Sequence, residues 1–157
     1  MDDLALARAL HVVAVVLWIG SVAFVTTVLL PGVRHEVPEA ARVDFFERIE
    51  SRFAWQSRVT TLLAGLSGLH LVQRLEVWDR FLDPAYWWMH AMVLTWLLFT
   101  LMLFVLEPWF LHRWFRARAE RDPGGTFTLI LQLHRILLAL GLATILGVVA
   151  GSHGFSF

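Results

Sequence analysis

The chain contains no cysteine and no lysine. The first absence excludes disulfides, thiolate metal sites and cysteine nucleophiles. The second excludes Schiff-base and lysine-base chemistry. All thirteen basic residues are arginine and the formal net charge is zero, so composition gives no basic footprint for nucleic acid. Charge of either sign is scarce: 17% of the 157 residues are charged and 58% are apolar, outside the usual range for a soluble domain. Charged residues are missing in blocks, from Ala9–Val33, Val59–Gln73, Pro84–Leu106 and Ile136–Phe157. Runs of this kind usually cross membranes. The length suits one domain, 1–157, and is too short for two.

These blocks predict an all-α fold: an integral membrane four-helix up-down bundle. Helix one covers about 4–30 and stops at Pro31-Gly32. Its leading Met1-Asp2-Asp3 is acidic and no small-residue cleavage site follows, so it reads as a retained helix and not a signal peptide. Helix two, about 53–75, carries Thr60, Thr61, Gly65, Ser67 and Gly68, and packs inside the bundle as its most polar member. Helix three, about 84–110, opens on the Asp83 cap with Pro84 at its first position and bends near Glu107-Pro108. Helix four, about 126–150, follows the Asp122–Gly125 turn with Thr126 as its cap. Before helix two, Val43, Phe46, Ile49 and Phe53 recur at helical spacing among charged residues. This segment is either an amphipathic helix in the interface between helices one and two or an N-terminal extension of helix two.

The arginines set orientation. Arg34, Arg42, Arg48, Arg52 and Arg58 follow helix one, and Arg113, Arg116, Arg118 and Arg121 follow helix three. The other side has only Arg8, Arg74 and Arg80, diluted by acids. The bias predicts a bacterial inner membrane protein with N- and C-termini on the periplasmic side.

Each predicted span carries one histidine: His11, His70, His90 and His134. An imidazole in hydrocarbon needs a partner or a function. At 1.5 Å per residue, His11 lies about 10 Å inside the outer end of its helix, and His70 and His90 lie about 8 Å deep. His153 could reach the same layer, whereas His134 enters from the inner side. Helices one and three are diagonal in an up-down bundle, so His11 and His90 can face each other as two axial imidazoles for a macrocycle. The alternative is plain interhelical hydrogen bonding, and His70 is as well explained that way beside Gln73. His11, Ala14, Trp18 and Ser21 form one stripe; His134, Leu138, Gly141 and Ile145 form another, in which Gly141 leaves room for a flat group. Arg135 either pairs with Glu107 or neutralises a haem propionate. Met89, Met92 and Met102 read as gap-fillers, and His35 and His112 as solvated loop residues.

The run Leu10-His11-Val12-Val13-Ala14-Val15-Val16-Leu17-Trp18-Ile19-Gly20 resembles the first helix of the CopD-like membrane superfamily, which includes copper-resistance CopD proteins and HemJ-type protoporphyrinogen oxidases. Glu50-Ser51-Arg52 before helix two and Trp88-Met89-His90-Ala91 at helix three extend the resemblance over three helices; helix four matches weakly. The resemblance implies His11 as a haem-ligand candidate. The HemJ-type pattern continues His-Ala-Lys, and here His90-Ala91 is followed by Met92, which argues against protoporphyrinogen oxidase activity.

Four functions follow as expectations. The first is a b-type cytochrome, an electron-transfer protein more than a stand-alone enzyme. It would hold one or two haem b groups through His11 and His90, with His70, His134, Arg135 and Trp18 as further candidates, and would exchange electrons with a quinone or membrane redox partner. The others are a copper-binding or copper-transport protein, a HemJ-like enzyme and a structural subunit. Small residues Ala64, Gly68, Ala139 and Ala143 could support a homodimer in the lipid.

Overall fold

The computed structural model describes residues 2–154, and every regular element among them is helical. Met1 and residues 155–157, the ends of the single expected domain, lie outside the described residues. Six α-helices are joined by π-helical stretches and 3-10 turns: α1 (Asp2–Phe24), α2 (Leu30–Glu36), α3 (Arg42–Arg74), α4 (Trp87–Leu101), α5 (His112–Ala119) and α6 (Pro123–Ser152). Three continuous helical stretches are long and apolar enough to cross a membrane: Asp3–Glu36, Pro84–Ala119 and Pro123–Ser152. α3 is not one of them, because its uncharged run is short and rich in threonine, serine and glycine.

Helix one does not stop at Pro31-Gly32. It continues through a π-helical stretch, Val25–Leu29, into α2. There Leu30 N–H reaches back to Val25 O, five residues away, so the wider turn absorbs the donor that Pro31 lacks. The helix ends at Glu36, since Val37 precedes Pro38 and is extended (φ −109°, ψ 132°). The same device carries the third helix past 110. Met102–Leu111 is π-helical around Pro108, His112 N–H reaches Glu107 O, and α5 continues to Ala119.

The amphipathic segment is no separate interfacial helix. It is the first third of α3, which runs unbroken from Arg42 because no proline or glycine interrupts it before Gly65. At the start of α6, Asp122 and not Thr126 is the cap: its Oδ1 accepts from Gly125 N–H at 2.8 Å. Thr126 sits buried in the first turn, donating to Asp122 O at 2.6 Å. Asp83 accepts from Ala85 N–H as expected, but Pro84–Tyr86 is a 3-10 turn and α4 begins at Trp87.

α1 lies along α3 and also touches α6, while α4 packs on α6 and α3. Asp3 pairs with Arg74, His11 with Ala64 and Ser21 with Gln56, so α1 and α3 run in opposite directions. Thr95 bonds Thr144 at 2.8 Å where α4 meets α6. Small residues let helices close on aromatic rings: a Cβ on Gly65 would overlap the Trp96 indole, and one on Gly147 would come within 2.7 Å of Trp87. The small-residue face of α3 is thus used within the chain, with Ala64 buried and Gly68 against His11; Ala139 and Ala143 stay exposed.

Candidate functional site

The histidines do not converge. His11 is half-buried between α1 and α3, its Nδ1–H shared between Ala64 O at 2.9 Å and Ser67 Oγ at 3.1 Å. A carbonyl only accepts, so the proton is on Nδ1 and the lone pair is on Nε2. A ligating imidazole is held in the same way, by a hydrogen bond from its other ring nitrogen to a carbonyl that fixes the tautomer and the ring's orientation. His90 is exposed; its Nε2–H donates to Phe81 O at 3.0 Å and its ring stands edge-on to Phe81. His70 is exposed near the end of α3, and His153 donates from Nδ1 to Val149 O on its own helix.

His134 donates from Nδ1 to Ile130 O at 2.9 Å, leaving Nε2 with a lone pair, and its ring meets Phe46 edge-on at 5.5 Å. His11 meets α3 at Ala64 and His134 meets it at Phe46, which separates their levels by about 27 Å along the helix. They belong to different ends of the molecule.

The two stripes read from sequence do face the interior. Ala14, Trp18 and Ser21 are buried on α1, and Leu138, Gly141 and Ile145 pack toward the same cluster on α6. The room at Gly141 is nevertheless taken: a Cβ there would meet Ile19 Cδ1 at 2.9 Å. Beside Ala14 and Ala64 the space is filled by Trp96, which lies on Gly65 and donates to Thr61 O, and by Phe99, edge-on to Trp18 at 4.9 Å. His11 therefore has the hydrogen bonding of a ligand, but this packing leaves no slot for a macrocycle between it and His90.

Arg135 does not pair with Glu107. One residue on from the inward-facing His134, it is turned about 100° around the helix and is exposed. Glu107 is held instead by Arg58 of α3, whose Nη2 lies 3.3 Å away.

A cavity lies at the arginine-rich end, where α1, α3, α4, the Met102–Leu111 stretch, α5 and α6 meet. It holds about 120 Å3 and is mostly apolar, with Trp18, Phe46, Phe53 and Phe99 among its walls. Its polar groups are Ser21, Glu47, Glu50, Ser57, Glu107, His112 and His134. Glu47 is buried; its Oε2 accepts from Arg116 Nε at 2.7 Å and lies 3.5 Å from His112 Nε2, while its Oε1 is buried without a partner. Trp18 Nε1 is likewise buried and unpartnered. Glu50, in the part of α3 that precedes the expected span, makes no hydrogen bond or ion pair with a described residue. Burial, reinforced by Glu107 and Glu47 and opposed by Arg58, pushes its carboxyl up to about 8.

Glu47 and His112 were not singled out from sequence, where they read as the wet side of an amphipathic helix and a loop residue, and Glu50 entered only within the Glu50-Ser51-Arg52 resemblance, with no role of its own. A signal was there. Val43, Glu47, Glu50, Ala54, Ser57, Thr61 and Ala64 alternate by four and three residues, a seam that faces other helices along its length. Two glutamates within such a seam are interior carboxylates.

No family model, no curated protein and no solved structure matches this chain.

Proposed function

We propose that the chain is an integral membrane four-helix up-down bundle of a bacterial inner membrane, with both termini outside, and that it is a b-type cytochrome-like protein in which His11 is a haem ligand. The long apolar stretches and the nine-to-three arginine bias support the membrane reading. The observation that carries the haem reading is His11 itself, an imidazole in an apolar helix with Nδ1–H fixed on a backbone carbonyl and Nε2 left to ligate. Bound haem b would supply a one-electron centre for exchange with a quinone or another membrane redox partner. Since Trp96 and Phe99 fill the core beside His11, haem loading requires the Trp96 indole to leave Gly65.

Copper is the weaker reading. Among the described residues no three His, Asp or Glu side chains gather as metal ligands. Any homodimer would use the exposed Ala139–Ala143 face of α6, since the α3 face is covered.

Purification in detergent from haem-replete cells tests the proposal. The expected product is red, contains iron, sharpens its bands on dithionite reduction, and loses its spectrum in His11→Ala. A colourless, iron-free product overturns it, as does full haem content in His11→Ala.

A further inference from the structure

The cavity at the arginine-rich end extends along α3. Its α3 wall runs from Phe46 to Ser57, about 16 Å at helical rise. A volume of about 120 Å3 along that length has room for several waters. The polar groups along it suit such a file. Trp18 Nε1–H, a donor, and Glu47 Oε1, an acceptor, are both buried and unpartnered. A single small ligand has difficulty serving both, since Trp18 lies near the Ser57 level and Glu47 a further ten residues down α3. A chain of waters serves each.

The charges are matched except for one. Glu47 has Arg116 and His112, and Glu107 has Arg58. Glu50 faces the same space with neither. The titratable groups around it are Glu47 and Arg58 from α3, Glu107 from the π-helical stretch, His112 from α5 and His134 from α6. α1 contributes only Trp18, Ser21 and Val22 to the cavity, and the π-helical stretch after it only Val25, none of which titrates near neutrality.

We propose that this cavity is a proton inlet, a water-filled passage from the arginine-rich side toward the middle of the molecule, in which Glu50 is the carboxyl that binds and releases the proton. Hydronium gives its proton to the Glu50 carboxylate and leaves as water; on release, water takes the proton back. The two other carboxylates are each held by an arginine, and these pairs keep the passage polar. The assignment is independent of haem.

Dicyclohexylcarbodiimide reacts with protonated carboxyls in apolar surroundings, so it is a direct probe. The full chain in detergent should be modified at Glu50 near neutral pH, as read by peptide mass spectrometry, and modification should fall about tenfold per pH unit above about 8. Glu47 and Glu107, each paired with an arginine, should be modified less than Glu50. In pH-difference infrared spectra the wild type should show a protonated-carboxyl band that shifts within seconds in D2O and is absent from Glu50→Gln. Ala54→Leu, which keeps Glu50 and fills the cavity, should slow both the modification and the D2O shift severalfold. Lack of modification at Glu50 at any pH overturns the proposal. So does a band that fails to shift in D2O, or an Ala54→Leu variant that behaves as wild type while retaining helical content.

Discussion

At the scale of single residues, interior space and interior charge make separate predictions. Gly65 exists because the Trp96 indole lies where a side chain would be. Gly65→Val should lower stability by about 1–3 kcal/mol, read as a fall in melting temperature by circular dichroism, because overpacking forces the indole off its Thr61 hydrogen bond. Arg58→Ala should cost about 1–3 kcal/mol by leaving Glu107 half-buried without its cation. Glu50 predicts a pH dependence. Its folded carboxyl titrates at about 8 against an ordinary 4.5. Below 4.5 it contributes nothing to the difference between states. As pH rises from there to 8, the unfolded carboxyl ionises first and stability is lost, by a few kcal/mol at most. Glu50→Gln should match the wild type near pH 4.5 and melt at a higher temperature at pH 8. Equal melting temperatures at both pH values would refute this.

At the scale of elements, the caps and breaks show what a sequence can and cannot reveal. Asp122→Ala should cost about 1 kcal/mol, since it removes the acceptor for Gly125 N–H at the start of α6. That helix, α4 and most of α1 were legible because uncharged runs and turn residues bound them. The passage of the chain through Pro31 and Pro108 was not. Proline normally ends a helix, and the escape is a shift to five-residue hydrogen bonding, which depends on neighbouring helices and leaves no local mark. The histidines were visible as residues, but their rotation was not. His11 and His134 turn inward, whereas His90 is drawn outward by the carbonyl of Phe81, a loop residue whose position no helical period encodes. Arg135 failed as a partner for Glu107 for the same reason, while Arg58 lay one helix away on the correct face.

At the scale of the whole molecule, the parts sort by end. His11 and the indoles of Trp87, Trp88 and Trp96 occupy the half containing the start of α1, and the carboxylate cavity occupies the half with the arginines. In the proposed orientation the proposed ligand imidazole, His11, is in the outer leaflet and the proposed proton inlet opens to the cytoplasm. The direction in which both would work rests on that sidedness, and the absence of cysteine makes it measurable. Single substitutions Arg121→Cys and His153→Cys should be labelled by a membrane-impermeant maleimide from opposite sides. The account predicts that Cys at 153 reacts in intact spheroplasts and Cys at 121 only after the cytoplasmic face is exposed in inverted vesicles. Labelling of both from the same side, or the reverse pattern, would contradict it.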